Sequence, residues 1–325
     1  MDDSRPVPSL AFAASSAAAH RRAVATMILV TLLWSVAGVV ARFLDSASSF
    51  EVTFWRSLFN ALALAIALRA MRGPSLWRTL ALAPAVVWVS GICWAVMFTA
   101  FMVAIMLTTV ANVLITMAIG PLLTALFARM FLHHRLPPRT WAAIAVAGAG
   151  IAWMFGQEAR AGASVAGTLV ALAVPLAAAI NWTVLQHIGH GAGDPDEAPP
   201  QDMLPAVLIG AVLSALLTLP FAYPFHASWH DLGLLALLGV AQLAVPCLLV
   251  VRLSRELPAP EIALLGLLEV VFGVAWVWLF ANEAPGSSAL IGGALVVGAL
   301  IANEALALRR VEARTTADRA TTRPT

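Results

Sequence analysis

The sequence predicts an all-α integral membrane protein with ten transmembrane helices, arranged as two inverted five-helix repeats. Three observations carry this. The 325 residues are 61% hydrophobic and 11% charged, with mean hydropathy +0.89, whereas soluble domains average about 45–50% apolar and about 25% charged. The apolar residues form long continuous runs instead of the short alternating segments of a membrane β-barrel. The arginines gather in alternate connections between those runs.

The chain opens with MDDSRPVPSLAFAASSAAAHRR, residues 1–22, a polar, small-residue tail with acids at positions 2 and 3. It lacks the basic start and short apolar core of a secretory signal, so the following run reads as a retained span. Ten spans are placed at about 23–43, 53–71, 81–105, 110–131, 140–157, 165–186, 203–222, 231–251, 261–281 and 288–308. Each matches the roughly 30 Å core of a bilayer when helical. Thr108 and Thr109 make a tight turn between spans three and four, and NEAPGS (Asn282–Ser287) joins nine to ten. Connections this short force antiparallel neighbours. Residues 309–325 read as a disordered tail.

All 19 basic residues are arginine. With the amino end inside, sixteen of them fall in inner segments, and only Arg42 and Arg160 lie outside, with Arg56 within span two. Cytoplasmic connections collect basic residues, so both termini are expected on the cytoplasmic side. The acidic, Gly/Pro-rich connection from His187 to Asp202 carries no arginine, but acids count little in this rule.

No P-loop or Gly-rich phosphate cradle occurs, which argues against an ATP-driven machine. His187, His190 and Asp194 lack a second ligand pair at metal-site spacing and read as a solvated loop. Cys93 and Cys247, both inside spans, read as small apolar packing residues. No cofactor and no metal is expected.

An internal duplication is visible at an offset of about 149 residues. Gly120–Gly150 lies over Glu269–Ala299, and LWSV (Leu33–Val36) lies over NWTV (Asn181–Val184), setting Trp34 against Trp182. Five spans is an odd number, so the second copy must be upside down, as in many secondary transporters. The units expected are residues 23–157 and 165–308.

Several segments carry a family resemblance: LLWSVAGVVARF in span one, FWRSLFNALAL opening span two, and IGPLLTALFARMFLHHRLPPRTWAAIAVAGAGI in spans four and five. LLEVVFGVAWVWLFANEAPGSSALIGGALVVGAL covers spans nine and ten. Together they resemble the drug/metabolite transporter superfamily in its EamA-type ten-span branch. The family's mid-span Glu-Pro pair survives as Glu269 followed by Val270, and its closing Leu-Gly-Glu keeps Glu283 but has His134 at the matching position. The resemblance implies a multi-pass protein of a bacterial cytoplasmic membrane.

Glu269 lies near the middle of a span that is otherwise apolar. A charge at that depth costs about 2.5–3.5 kcal/mol on insertion scales, so it faces protein or a water-filled path. It either bridges packed helices, protonates during a transport cycle, or meets a cationic group. Arg56, one turn into span two, either snorkels to the outer interface or binds an anion or gates the path. Trp34 and Trp182, and more weakly Trp94, are deep indoles that serve packing or wall a substrate. Asn181 and Gln242 are the amides expected to line a cavity; Asn60 and Asn112 are the others inside spans. Trp276 and Trp278 fit an outer aromatic belt. Small residues at four-residue spacing, Ala294 and Gly298 or Ala143 and Ala147, suit close helix contact within the chain or in a homodimer.

The function expected is secondary active transport of a small metabolite or drug-like solute by alternating access, coupled to protons through Glu269. The resemblance favours efflux, with uptake of a vitamin, nucleotide-like or amino-acid-like solute as the alternative. A membrane-embedded lipid-modifying enzyme is the distant alternative, because it needs a catalytic cluster that the chain does not display. Expected partners are the small-molecule substrate, the lipid bilayer and protons, with no nucleic acid, in a monomer or homodimer.

Overall fold

A computed structural model describes residues 10–40, 43–108, 110–133, 136–162, 164–190, 201–281 and 287–321. The loop expected to carry Asp194 and the connection with Glu283 lie largely outside these residues, as does His134. All regular structure among the described residues is helical.

In order, α1 is Leu10–Ser35, α2 Ala37–Val40, α3 Ser49–Arg72, α4 Ser75–Ala81 and α5 Ala85–Leu107. Then come α6 (Val110–Met117), α7 (Gly120–Phe131), α8 (Pro138–Gly162) and α9 (Val165–His190). The second half continues with α10 (Leu204–Ala222), α11 (Trp229–Leu237), a π-helical segment (Leu238–Ala244) and α12 (Val245–Leu253). It closes with α13 (Ala259–Gly266), α14 (Leu268–Ala281) and α15 (Ser287–Thr321). Eight spans are long and apolar enough to cross a membrane, among them Ala18–Val40, Trp229–Leu253 and Ala259–Phe280. The 25 residues of α8 and the apolar stretch Ser287–Asn303 of α15 supply the fifth and tenth.

The edges differ from expectation mainly at the ends. Helix α1 already begins at Leu10, inside the expected tail, and α15 runs on to Thr321. Inside the membrane, four spans are interrupted. Span one breaks at Val36, span four at Ala118–Ile119 and span nine at Leu267, while span eight passes through the π segment. The breaks in spans four and nine stand 149 residues apart, so the offset read from hydropathy is also an offset in backbone geometry.

The packing repeats in the same way. Span three (α5) packs on span six (α9), and span eight (α12) on span one (α1). Span seven (α10) packs on span three, and span two (α3) on the π segment of span eight. The pairs α3–α10, α7–α13 and α8–α15 join each span to its own counterpart. Exchanging span n for span n+5 returns each of these pairs. The α8–α15 pair is the tightest crossing: a Cβ on Gly150 would lie 2.8 Å from the Gly292 carbonyl oxygen, and one on Gly292 would strike the Gly150 carbonyl and Met154. Ala143 and Ala147 are buried in this contact, whereas Ala294 and Gly298 face outward.

Matched contacts close the two ends. Asn112 Nδ2 donates to Thr168 Oγ1 at 2.7 Å at the end bearing the α5–α6 turn. At the opposite end Glu261 Oε1 lies 3.3 Å from His20 Nε2. Asn112 and Glu261 are 149 residues apart, and Thr168 and His20 are 148 apart. The Arg72–Asp202 ion pair also ties α3 to the entry of α10 at the terminus-bearing end.

Candidate functional site

Span nine is built in two unlike halves. Helix α13 is mostly buried, with Ala259, Pro260, Ile262, Leu264 and Leu265 in the core. Helix α14 restarts after the break at Leu267, and positions 271–276 are all part-exposed. Glu269 stands in the first turn of α14, two residues past the break. It is half-buried. One face of α14 then carries Gly273, where an added Cβ would meet nothing within 4 Å, and Trp276 about one turn further on.

Arg56 is 4% exposed and does not snorkel to the interface. Its arm turns inward: Nη2 donates to the Phe98 carbonyl on α5 at 3.2 Å, leaving Nε buried without a hydrogen bond. From there it acts electrostatically on Glu269 and on the Cys247 thiol of α12. Glu269 is therefore not the lone buried charge that the apolar span suggests. Asn60, one turn along α3 from Arg56, is fully buried with neither amide atom bonded.

Gln242 belongs to the π segment. Its Nε2 donates to the Trp34 carbonyl at 3.2 Å, and its Oε1 is buried and unpaired. The π geometry has a local reason. A Cβ on Gly239 would lie 2.6 Å from Phe59 Cβ and 2.7 Å from the Arg56 carbonyl oxygen, so only glycine lets span eight lie this close to α3. One-turn π insertions of this kind recur at functional sites. Cys247 is a fully buried free cysteine in the core of α12. Trp276, expected in the outer belt, turns inward instead and donates to Ser35 Oγ at 2.9 Å. Trp278 is 52% exposed and fits the belt.

The other candidates form a second cluster. Trp94 and Trp182 meet edge to face with centroids 5.4 Å apart. Ser90 donates to Asn181 Oδ1 at 2.6 Å, while Asn181 Nδ2 and Trp94 Nε1 are buried and unpaired. The two clusters are joined by Phe98, whose ring packs on Trp94 at 5.5 Å and whose carbonyl holds Arg56. Trp34 against span eight and Trp182 against span three are equivalent places under the exchange of halves. The seven sequence candidates thus divide into Arg56, Glu269, Gln242 and Trp34 on one side and Trp94, Trp182 and Asn181 on the other. Apolar grooves of about 360 Å³ (around Trp141 and Ile144) and about 300 Å³ (around Ile92 and Leu213) contain none of them.

Comparison with known proteins agrees with this geometry. The EamA-like transporter family profile matches twice, over residues 21–156 and 165–303. The chain belongs to the EamA-like transporter family. It is a multi-pass membrane transporter of small solutes, and each matched unit is one of the five-helix repeats described above. A solved chain described as "Crystal structure of protein" is 21% identical, with 89% of this chain and 98% of that one covered and a TM-score of 0.74, which establishes the likeness in fold. No curated protein matches the chain.

Proposed function

We propose that this EamA-like protein is a secondary active transporter that moves a small metabolite or drug-like solute by alternating access, coupled to protons at Glu269. The observation that carries this is the position of Glu269. A carboxylate at the start of a half-helix, beside a helix break and within reach of a buried arginine from the other repeat, is the arrangement from which transporters build midplane sites. The contrast between buried α13 and part-exposed α14 supports a path reaching Glu269 from one end. Export from the side bearing the termini is the leading direction. A specific observation favours the second reading, uptake: buried Arg56 suits the anionic group of a vitamin, nucleotide-like or amino-acid-like solute.

The test begins with a thermal-shift screen of the purified protein against a metabolite library, since a ligand that binds only the folded state raises its stability. Flux of the hits into proteoliposomes follows, with and without an imposed pH gradient. Flux that ignores the gradient would remove the coupling, and the absence of any ligand-dependent flux would remove the active-transport reading.

A further inference from the structure

We infer that Arg56 is the seat of an anionic group on the cargo, and that this group and a proton on Glu269 bind together. The inference rests on the transporter reading and names the chemical class of its cargo.

Donors and acceptors are out of balance at Arg56. Arg56 offers five N–H donors; one goes to the Phe98 carbonyl, and Nε is unpaired. Asn60, one turn along α3, adds a buried amide donor without a partner, Nδ2, and Trp94 of the neighbouring cluster adds Nε1. A guanidinium this buried, with donors unused, is costly unless something negative completes it. Glu269 acts on it electrostatically, but the two form no ion pair within hydrogen-bonding range among the described contacts. An anion carried in by the cargo can make the contact that Glu269 does not.

Charge favours the same pairing. With Glu269 ionised, Arg56 is already balanced, and a second carboxylate or phosphate nearby meets repulsion. With Glu269 protonated, the cluster is positive and receives one negative charge without a net cost in field. The two carboxylates therefore compete for one guanidinium, and protonating Glu269 decides in favour of the cargo. Of the elements packed on α14, α2 carries no titratable residue over Ala37–Val40. Helix α1 carries His20, Arg21 and Arg22 only at its far end, and the charged positions of α15 begin at Glu304. From α3 and α12 the groups acting on Glu269 are Arg56 and the Cys247 thiol. Beside the charge, a Cβ added at Gly273 would meet nothing within 4 Å, and Trp276 follows one turn on.

Proton and anion then travel as a neutral pair, so an inward proton gradient draws the cargo in, and the inference belongs to the second, uptake reading of the transporter. The probes are sodium phenylacetate, 2-phenylethanol and phenethylammonium, which share one ring and differ in charge. Binding is read by thermal shift on the purified full chain, and proton movement by an indicator dye in weakly buffered solution. Phenylacetate should bind in preference to the other two and draw protons from solution. Its affinity should fall by about tenfold per pH unit where Glu269 loses its proton. Glu269→Gln should bind phenylacetate with no proton uptake and a flat pH profile, and Arg56→Gln should not bind it. If Arg56→Gln fails to fold, the flat profile of Glu269→Gln decides. Preference for phenethylammonium, no phenylacetate binding, or binding without proton uptake would overturn the inference. The transporter reading would survive each of these, since it stands on flux of a screened ligand.

Discussion

Glu51 and Asp231 each cap their own helix and grip the entrance to the other's. Glu51 completes a capping box with Ser48 at the start of α3 and accepts from the backbone N–H groups of His226 and Ala227, at 2.9 and 2.7 Å, just before α11. Asp231 completes a capping box with Ser228 at the start of α11 and accepts from Asp45 and Ser46, at 2.8 and 3.1 Å, just before α3. Both carboxylates are fully buried. This crossed pair fixes how spans two and eight begin, and so the height at which Arg56 faces the π segment.

Removing either half of the clamp should destabilise the protein. Hydrogen bonds to charged groups contribute about 1.5–3 kcal/mol each, and backbone donors left buried add to the loss. Glu51→Ala and Asp231→Ala should each cost about 2 kcal/mol or more in unfolding of the detergent-solubilised protein. The double variant should cost less than the sum, because both substitutions free the same two loops. Strict additivity would show that the two caps act independently.

The α8–α15 crossing should be equally intolerant of bulk. Gly292→Leu forces its side chain into the Gly150 carbonyl and Met154, and overpacking of this kind costs about 1–3 kcal/mol or more. Gly298→Leu, where an added Cβ meets nothing within 4 Å, is the matched control and should unfold near the wild-type temperature. Equal loss in both variants would mean that the Gly298 face is occupied by a second copy of the chain.

Glu269→Gln should insert and fold normally yet lose proton-driven accumulation, while exchange of substrate across the membrane survives. Proteoliposome flux with and without a pH gradient separates these outcomes. Gradient-driven flux at the wild-type rate in the glutamine variant would reduce Glu269 to a helix-bridging residue.

Orientation has its own test. A cysteine at Ser48 should react with an impermeant reagent added to intact cells, whereas one at Gly193 should not. Labelling at Gly193 would reverse the second half relative to the arginine rule.

Much of the fold was legible because membrane helices announce themselves by length and apolarity, and because the 149-residue offset falls on matching helix breaks. Glu269 was legible for the same reason, as a carboxylate in an apolar run. Arg56 was visible as a residue, but its direction was not, since a long arm one turn from the interface reaches outward or inward with equal ease. The inward choice is made by the Phe98 carbonyl, and no local signal in span two points to span three. Trp276 fell to the belt by position alone, and its hydroxyl partner, Ser35, lies 241 residues away. The clamp was missed because Glu51 and Asp231 sit at the outer edges of their spans, where acids are ordinary.

The matched latches carry a consequence for rectification. A molecule built from two identical inverted halves would have its two end-open states at equal energy, like a balanced rocker. Only differences between corresponding positions can tilt it. Here Asn112 and Thr168 fasten one end through an amide and a hydroxyl, whereas Glu261 and His20 fasten the other through groups that can carry charge. The midplane seat is also unequal, with Gly120 in one half and Glu269 in the other. The resting tilt of the rocker is therefore written in a handful of non-identical pairs, and exchanging residues between partners of one pair is the way to level it.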